Sequence, residues 1–237
     1  MEKGSGGRPQ ISFRIYHRIS IARQPKNPFG GDFVKTVIDL LPQSAIIALQ
    51  SSISEKRFRH CLGVLEASFR LADAWEHYDI DRRLLAWAAL FHDCAKELTK
   101  SKQIRLVNNG NLIYGRELIH TSKLSHAPLG ALLLQTKYGM DHPEVLMAVA
   151  YHPTGHSDLT PIGWIVYMAD YLEPGRAYVE NRDEILDAAC NDPLTGLRMV
   201  TDLRISMVLK KGKDVHPMAE QFKTHLEQMT MLCEERL

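Results

Sequence analysis

The sequence predicts an all-α protein, and three observations carry that prediction. Apolar residues recur at three- and four-residue spacing through most of the chain beyond residue 43. Helix-starting and helix-stopping residues punctuate those stretches again and again. No convincing run of paired strands and no internal repeat breaks the pattern.

In order, Ser52 and Glu55 form an S-x-x-E capping box. The helix it opens carries Phe58, Leu62, Leu65, Phe69 and Ala72 on one face. A second helix is expected over 82–98, apolar on nearly every side and therefore central. A short helix over 101–108 stops near Gly110, and 109–125 reads as an irregular connection long enough to serve a function. His126 to Tyr138 is helical, with Gly139 placed to end it. Asp141 can cap a helix that ends before Pro153. Thr160-Pro161 starts another, which Pro174-Gly175 stops. Helices follow over 183–190 and 194–211, and Asp214 opens a last one.

The chain before this helical region differs. Lys3, Arg8, Arg14, Arg18, Arg23 and Lys26 face a single acid, Glu2, before Gly31. Ile11, Phe13 and Ile15 alternate with polar residues, as in a short strand. A flexible basic extension over 1–42 is expected, followed by one domain over 43–237. A transit-type segment and a start placed too far upstream are the alternatives.

Charge and composition exclude several classes. A net charge of +1 gives no whole-molecule case for nucleic acid or membrane surfaces. No apolar run approaches the roughly 20 residues that span a bilayer, and the start lacks the apolar core of a secretory signal. Cys61, Cys94, Cys190 and Cys233 lie far apart with no C-x-x-C pair. They read as small, mostly buried side chains in a reducing compartment, the cytoplasm.

The candidate site begins in LFHDCAKEL, residues 90–98, where polar groups end an otherwise apolar helix. Buried charges need partners. Histidines and aspartates recur in the neighbouring helices: His60, then His92-Asp93, His126, His152 and Asp170. Imidazole and carboxylate without thiolate suit iron, manganese, zinc or nickel. Asp93 is the natural bridge if two ions bind, since a carboxylate has two oxygens. Lys96 shares a helix face with His92 and Asp93, Arg57 precedes His60 by one turn, and Arg176 follows Asp170 after the Pro-Gly break. Cations beside a metal site point to an anionic ligand such as phosphate.

The order His60, His92-Asp93-Cys94-Ala95-Lys96, His126, Tyr151-His152-Pro153-Thr154-Gly155 and Ala169-Asp170-Tyr171-Leu172-Glu173-Pro174-Gly175-Arg176 resembles the HD-domain superfamily of metal phosphohydrolases. Within it, the likeness is to the YqeK-type symmetrically cleaving bis(5′-nucleosyl)-tetraphosphatases, over residues 52–220. The resemblance implies an HD-domain helical bundle. It implies iron held by His60, His92, Asp93 and Asp170, with room for a second ion near His126 and His152. It implies hydrolysis of diadenosine tetraphosphate and related dinucleoside polyphosphates to two ADP, with Asp93 and Lys96 catalytic. Arg57, Lys96, His126, His152, Pro153 and Arg176 would meet the substrate. Pro153 and His156 stand where the group often has Thr and Arg, so substrate preference is where a departure is expected. A homodimer is left open. The alternatives are another HD-domain nucleotide phosphohydrolase, or a non-catalytic sensor that binds a dinucleotide.

Overall fold

The computed structural model describes residues 37, 39–176, 179 and 181–234. The basic extension up to residue 36, with the Ile11–Ile15 strand, lies outside the described residues. Those residues form ten α-helices and one 3₁₀ turn, with no strand. They are α1 (Gln43–Gln50), α2 (Glu55–Ala74), α3 (Arg82–Phe91), α4 (Lys100–Asn109), the 3₁₀ turn (Arg116–Leu118), α5 (His126–Lys137), α6 (Pro143–Tyr151), α7 (Pro161–Leu172), α8 (Arg182–Asn191), α9 (Pro193–Leu209) and α10 (Pro217–Glu234). No described helix is long and apolar enough to cross a membrane.

The all-round apolar sequence of α7 makes it the central helix. Every residue from Ile162 to Asp170 is buried, and α2, α3, α6, α8 and α9 all pack against it. A helix apolar on all faces must be enclosed in this way. The core reaches back to Val37 and Leu41, both buried.

Helix α2 starts two residues later than the S-x-x-E pattern implies. Ser54, not Ser52, is its N-cap and accepts from the Arg57 N–H. Ser52 instead donates to the Leu49 carbonyl at the end of α1. The carboxylate of the cap comes from outside the helix: Glu97 accepts from the Ser54 N–H at 2.6 Å and from its hydroxyl at 2.8 Å. That bond ties the start of α2 to the end of the HDCAKE stretch.

Helix α3 ends at Phe91, well short of residue 98. Residues 92–97 form tight turns instead, with N–H bonds to the carbonyl three residues back at Cys94, Lys96 and Leu98. The apolar run continues past the helix end because the first of these turns, residues 92–95, is itself buried. Two other boundaries shift. His142, not Asp141, stands at the N-cap of α6, with Pro143 in its first turn. The last helix starts at Pro217 rather than Asp214, and His216 Nδ1 accepts from the Met218 N–H. The irregular 109–125 connection contains the 3₁₀ turn and is pinned where Gly115 N–H donates to the Tyr151 hydroxyl.

Candidate metal centre

Two histidines owe their orientation to the same device. His92 and His152 each occupy the C-cap of a helix, α3 and α6. The last carbonyls of a helix lack intrahelical partners. Each ring donates from Nδ1 to the carbonyl three residues back, Ala89 and Val149 respectively, at 2.8 Å. The proton is thereby fixed on Nδ1, and Nε2 presents a lone pair to the interior. In His60, on α2, the Glu173 carboxylate lies 3.2 Å from Nδ1 and fixes the same tautomer. In His126, which opens α5, Nε2 likewise faces the centre, with the Lys96 ammonium 2.9 Å from it and 3.3 Å from Nδ1.

Four imidazoles therefore aim Nε2 inward, and they meet in pairs. His60 Nε2 and His92 Nε2 are 3.2 Å apart, as are His126 Nε2 and His152 Nε2. Asp93 lies between the pairs. Its Oδ2 is 3.8 Å from His60 Nε2 and 3.7 Å from His92 Nε2. Its Oδ1 is 3.2 Å from His126 Nε2 and 3.5 Å from His152 Nε2. Asp170 Oδ1 joins the first pair, 3.2 Å from His60 Nε2 and 3.8 Å from His92 Nε2. The structure thus offers two donor groups that share Asp93: His60, His92 and Asp93, and Asp93, His126 and His152.

These groups fit a metal ion. The His60 and His92 lone pairs, facing each other at 3.2 Å, repel unless a cation lies between them. Donors bound to one ion at about 2.1 Å stand about 3.0 to 3.4 Å apart. Asp93 Oδ1 is buried and receives no hydrogen bond among the described residues, an expensive condition without a cation. The donors are nitrogen and oxygen only. The Cys94 thiol turns away to the Gly130 carbonyl at 3.7 Å, and burial pushes its pKa up to about 12.

Protonation favours metal ligation. Burial lowers the His92 pKa to about 3 and that of His126 to about 4, so both rings are neutral near pH 7. Burial also pushes the Asp93 carboxyl up, but the imidazoles of His92, His126 and His152 outweigh it and hold it well below the usual range. For Asp170, burial is likewise outweighed, by His60, Arg204 and Arg176. His60 differs: burial lowers its pKa, yet Asp170 and Glu173 raise it overall.

The expected cations all arrive. Arg57 Nη1 donates to Asp93 Oδ2 at 2.7 Å, and Arg176 Nη2 to Asp170 Oδ1 at 2.6 Å. Lys96 Nζ lies 3.7 Å from Asp93 Oδ1. Burial lowers the Lys96 pKa, with Asp93 and Asp170 opposing. Among the described residues, two clefts reach these groups. One, of about 960 Å³, is lined by His60, Lys56, Arg57, Arg59, Glu173 and Arg176. The other, of about 330 Å³, is lined by His126, Lys96, Gln103, Lys123 and Ser125. Pro153 lines neither; it is half-buried in the turn after His152. His156 stacks on Tyr151, with ring centroids 4.4 Å apart.

Sequence reasoning missed two charged residues. Glu173 is buried, holds His60 and accepts from the Gly175 N–H. Gly63 makes room for it, since a Cβ there would lie 2.5 Å from Glu173 Oε2. The signal was a carboxylate one turn after Asp170. Arg204, on α9, donates to Asp170 Oδ2 at 2.9 Å. Its signal was a cation continuing the buried stripe of Leu197, Val200 and Thr201.

The HD-domain family model matches residues 57–175, which run from Arg57 through Asp170 to the Pro-Gly break. The chain belongs to the HD-domain family. Among HD-domain proteins, it is 30% identical over 175 residues to a symmetrical bis(5′-nucleosyl)-tetraphosphatase of Bacillus subtilis, covering 74% of this chain and 91% of that one. A Staphylococcus aureus protein of the same name is 35% identical over 143 residues, 60% of this chain and 71% of that one. The fold matches the crystal structure of a predicted HD superfamily hydrolase involved in NAD metabolism from Clostridium acetobutylicum. That match has a TM-score of 0.68 and 31% identity, and covers 85% of this chain and 98% of the other.

Proposed function

We propose that this HD-domain protein is a metal-dependent hydrolase that cleaves diadenosine tetraphosphate and related dinucleoside polyphosphates symmetrically, giving two ADP. One observation carries the reading: Asp93 turns one oxygen to each of two histidine pairs, and each pair reaches its own cation-lined cleft. A substrate with a nucleoside at each end and a polyphosphate between them suits that layout. The names of the relatives support the same substrate class.

His60, His92, Asp93 and Asp170 would hold one ion, with Asp93, His126 and His152 available to a second. When bound, such an ion lowers the pKa of water to about 7 and polarises phosphoryl oxygens. Iron is the proposed metal, which the nitrogen–oxygen donor set without thiolate accommodates. Arg57 and Arg176 would grip phosphates from the His60 side and Lys96 from the His126 side. Each is a charge-assisted donor aimed at a polyanion whose charge shifts during bond breaking. Glu173 keeps the His60 proton on Nδ1, and the Ala89 and Val149 carbonyls do the same for His92 and His152. The free thiols of Cys61, Cys94 and Cys190 support a reducing cytoplasmic setting.

The test is a nucleotide panel with product identification on metal-loaded protein. Diadenosine tetraphosphate should give ADP alone. AMP plus ATP would overturn symmetrical cleavage, and turnover confined to mononucleotides would favour a different HD-domain phosphohydrolase. Tight binding without turnover would make the protein a sensor.

A further inference from the structure

Arg204 is nearly buried on α9, at 9% exposure, where an unpaired guanidinium would be strongly destabilising. Both terminal nitrogens are engaged. Nη1 donates to the His152 carbonyl at 2.8 Å and to the Tyr167 carbonyl at 3.1 Å. Nη2 donates to Asp170 Oδ2 at 2.9 Å. The rings of Tyr167 and Tyr171 lie 4.3 and 4.4 Å from its central carbon. Two of these contacts reach different halves of the metal centre. Asp170 belongs with His60 and His92, whereas His152 belongs with His126.

We propose that Arg204 is a positioning residue that ties the two metal positions together. By engaging Asp170 Oδ2 it holds the carboxylate with Oδ1 turned toward His60 and His92, where Arg176 also donates to Oδ1 at 2.6 Å. By satisfying the His152 carbonyl, an orphan of the α6 terminus, it fixes the backbone that carries the His152 ring toward Asp93 Oδ1. The planar fork is needed for this: a lysine offers a point charge and cannot serve acceptors in two directions with the same geometry. The inference rests on the two-position reading of the site proposed above.

The test titrates Co²⁺, as the metal alone, into chelator-stripped full-length protein and reads visible absorption and calorimetry. Arg204→Lys and Arg204→Met probe the tie directly. Tyr171→Leu loosens the guanidinium without removing it, and remains informative if the Arg204 variants do not fold. Thr201→Val removes only the Tyr167 hydroxyl contact in the same packing layer, 3.0 Å long, and serves as the control for general loosening of α9.

Wild type should take two equivalents. Folded Arg204 variants should bind both about 10- to 100-fold more weakly with an altered cobalt spectrum, and Tyr171→Leu should weaken both by a smaller factor. Thr201→Val should leave affinity and spectrum unchanged. Unchanged binding in folded Arg204 variants, or in Tyr171→Leu where those do not fold, overturns the tie. Weakening at one position only also overturns it, as does an equal effect of Thr201→Val. A wild type that binds no cobalt, or a single equivalent, would overturn the two-position reading along with it.

Discussion

The two halves of the centre each have an oxygen of Asp93 and a pair of inward-facing histidines, yet they differ in the carboxylates around them. The His60–His92 half has a second carboxylate, Asp170, with Glu173 behind His60. The His126–His152 half has no second carboxylate within the same reach among the described residues, and its nearest charged neighbour is the Lys96 ammonium. The pKa values follow the same contrast. At His60, Asp170 and Glu173 override burial and raise the pKa; at His126, burial, with Lys96 adding to it, lowers the pKa to about 4. Similar ligand residues can therefore build unequal sites. The first half offers one donor more, the Asp170 carboxylate, and is expected to fill first.

The largest effect should come from breaking what the halves share. Asp93→Ala should bring turnover to background and empty both positions, as read by elemental analysis beside circular dichroism. Loss of metal from one position only would show that Asp93 is not the bridge.

Next come the cations, which should matter to substrate and not to metal. Lys96→Ala and Arg176→Ala should each cost about 1.5–3 kcal/mol of phosphate recognition, or roughly ten- to 150-fold in kcat/KM. Metal content should stay at the wild-type value. Metal loss in a folded Lys96→Ala protein would reverse the assignment of that residue to the substrate.

Glu173→Gln sharpens the asymmetry, because it touches only the first half. Removing a carboxylate that orients a metal-binding histidine typically weakens the metal about 10- to 100-fold. Titration of the variant should show that loss at the tighter position and none at the other.

The smallest effect is a pH dependence of the metal-free fold, and its sign differs between halves. His92 and His126 have folded pKa values of about 3 and 4, below the unfolded 6.5. The unfolded chain binds more protons in that window, so their contribution is lost as pH falls from 6.5 toward those values. His60 is raised, so its contribution is present below 6.5 and is lost as pH rises through its folded value. Urea unfolding at about pH 5 and about pH 7 should therefore show a shallower acid loss in His126→Gln and a steeper one in His60→Gln.

Much of this was legible in the sequence because the physics is local. Helical periodicity and stop residues gave the order of helices, and Thr160-Pro161 and Gly139 sit at the expected ends. Every ligand candidate converges, since each lies at or near a helix terminus facing the same interior. What was hidden is long-range. The start of α2 is set by Glu97, which no pattern within α2 shows. The end of α3 is set where the His92 ring takes over the Ala89 carbonyl, so an apolar run alone overextends the helix. Arg204 is 34 residues from Asp170 in sequence, and only packing brings α9 against α7.

The most direct test is anomalous diffraction from crystals of metal-loaded protein, collected at the absorption edge of the bound ion. The expected result is a strong peak enclosed by His60, His92, Asp93 and Asp170, and a weaker one between Asp93, His126 and His152. Active protein with no peak at either place, or with its metal bound away from Asp93, would contradict a centre built around that shared carboxylate.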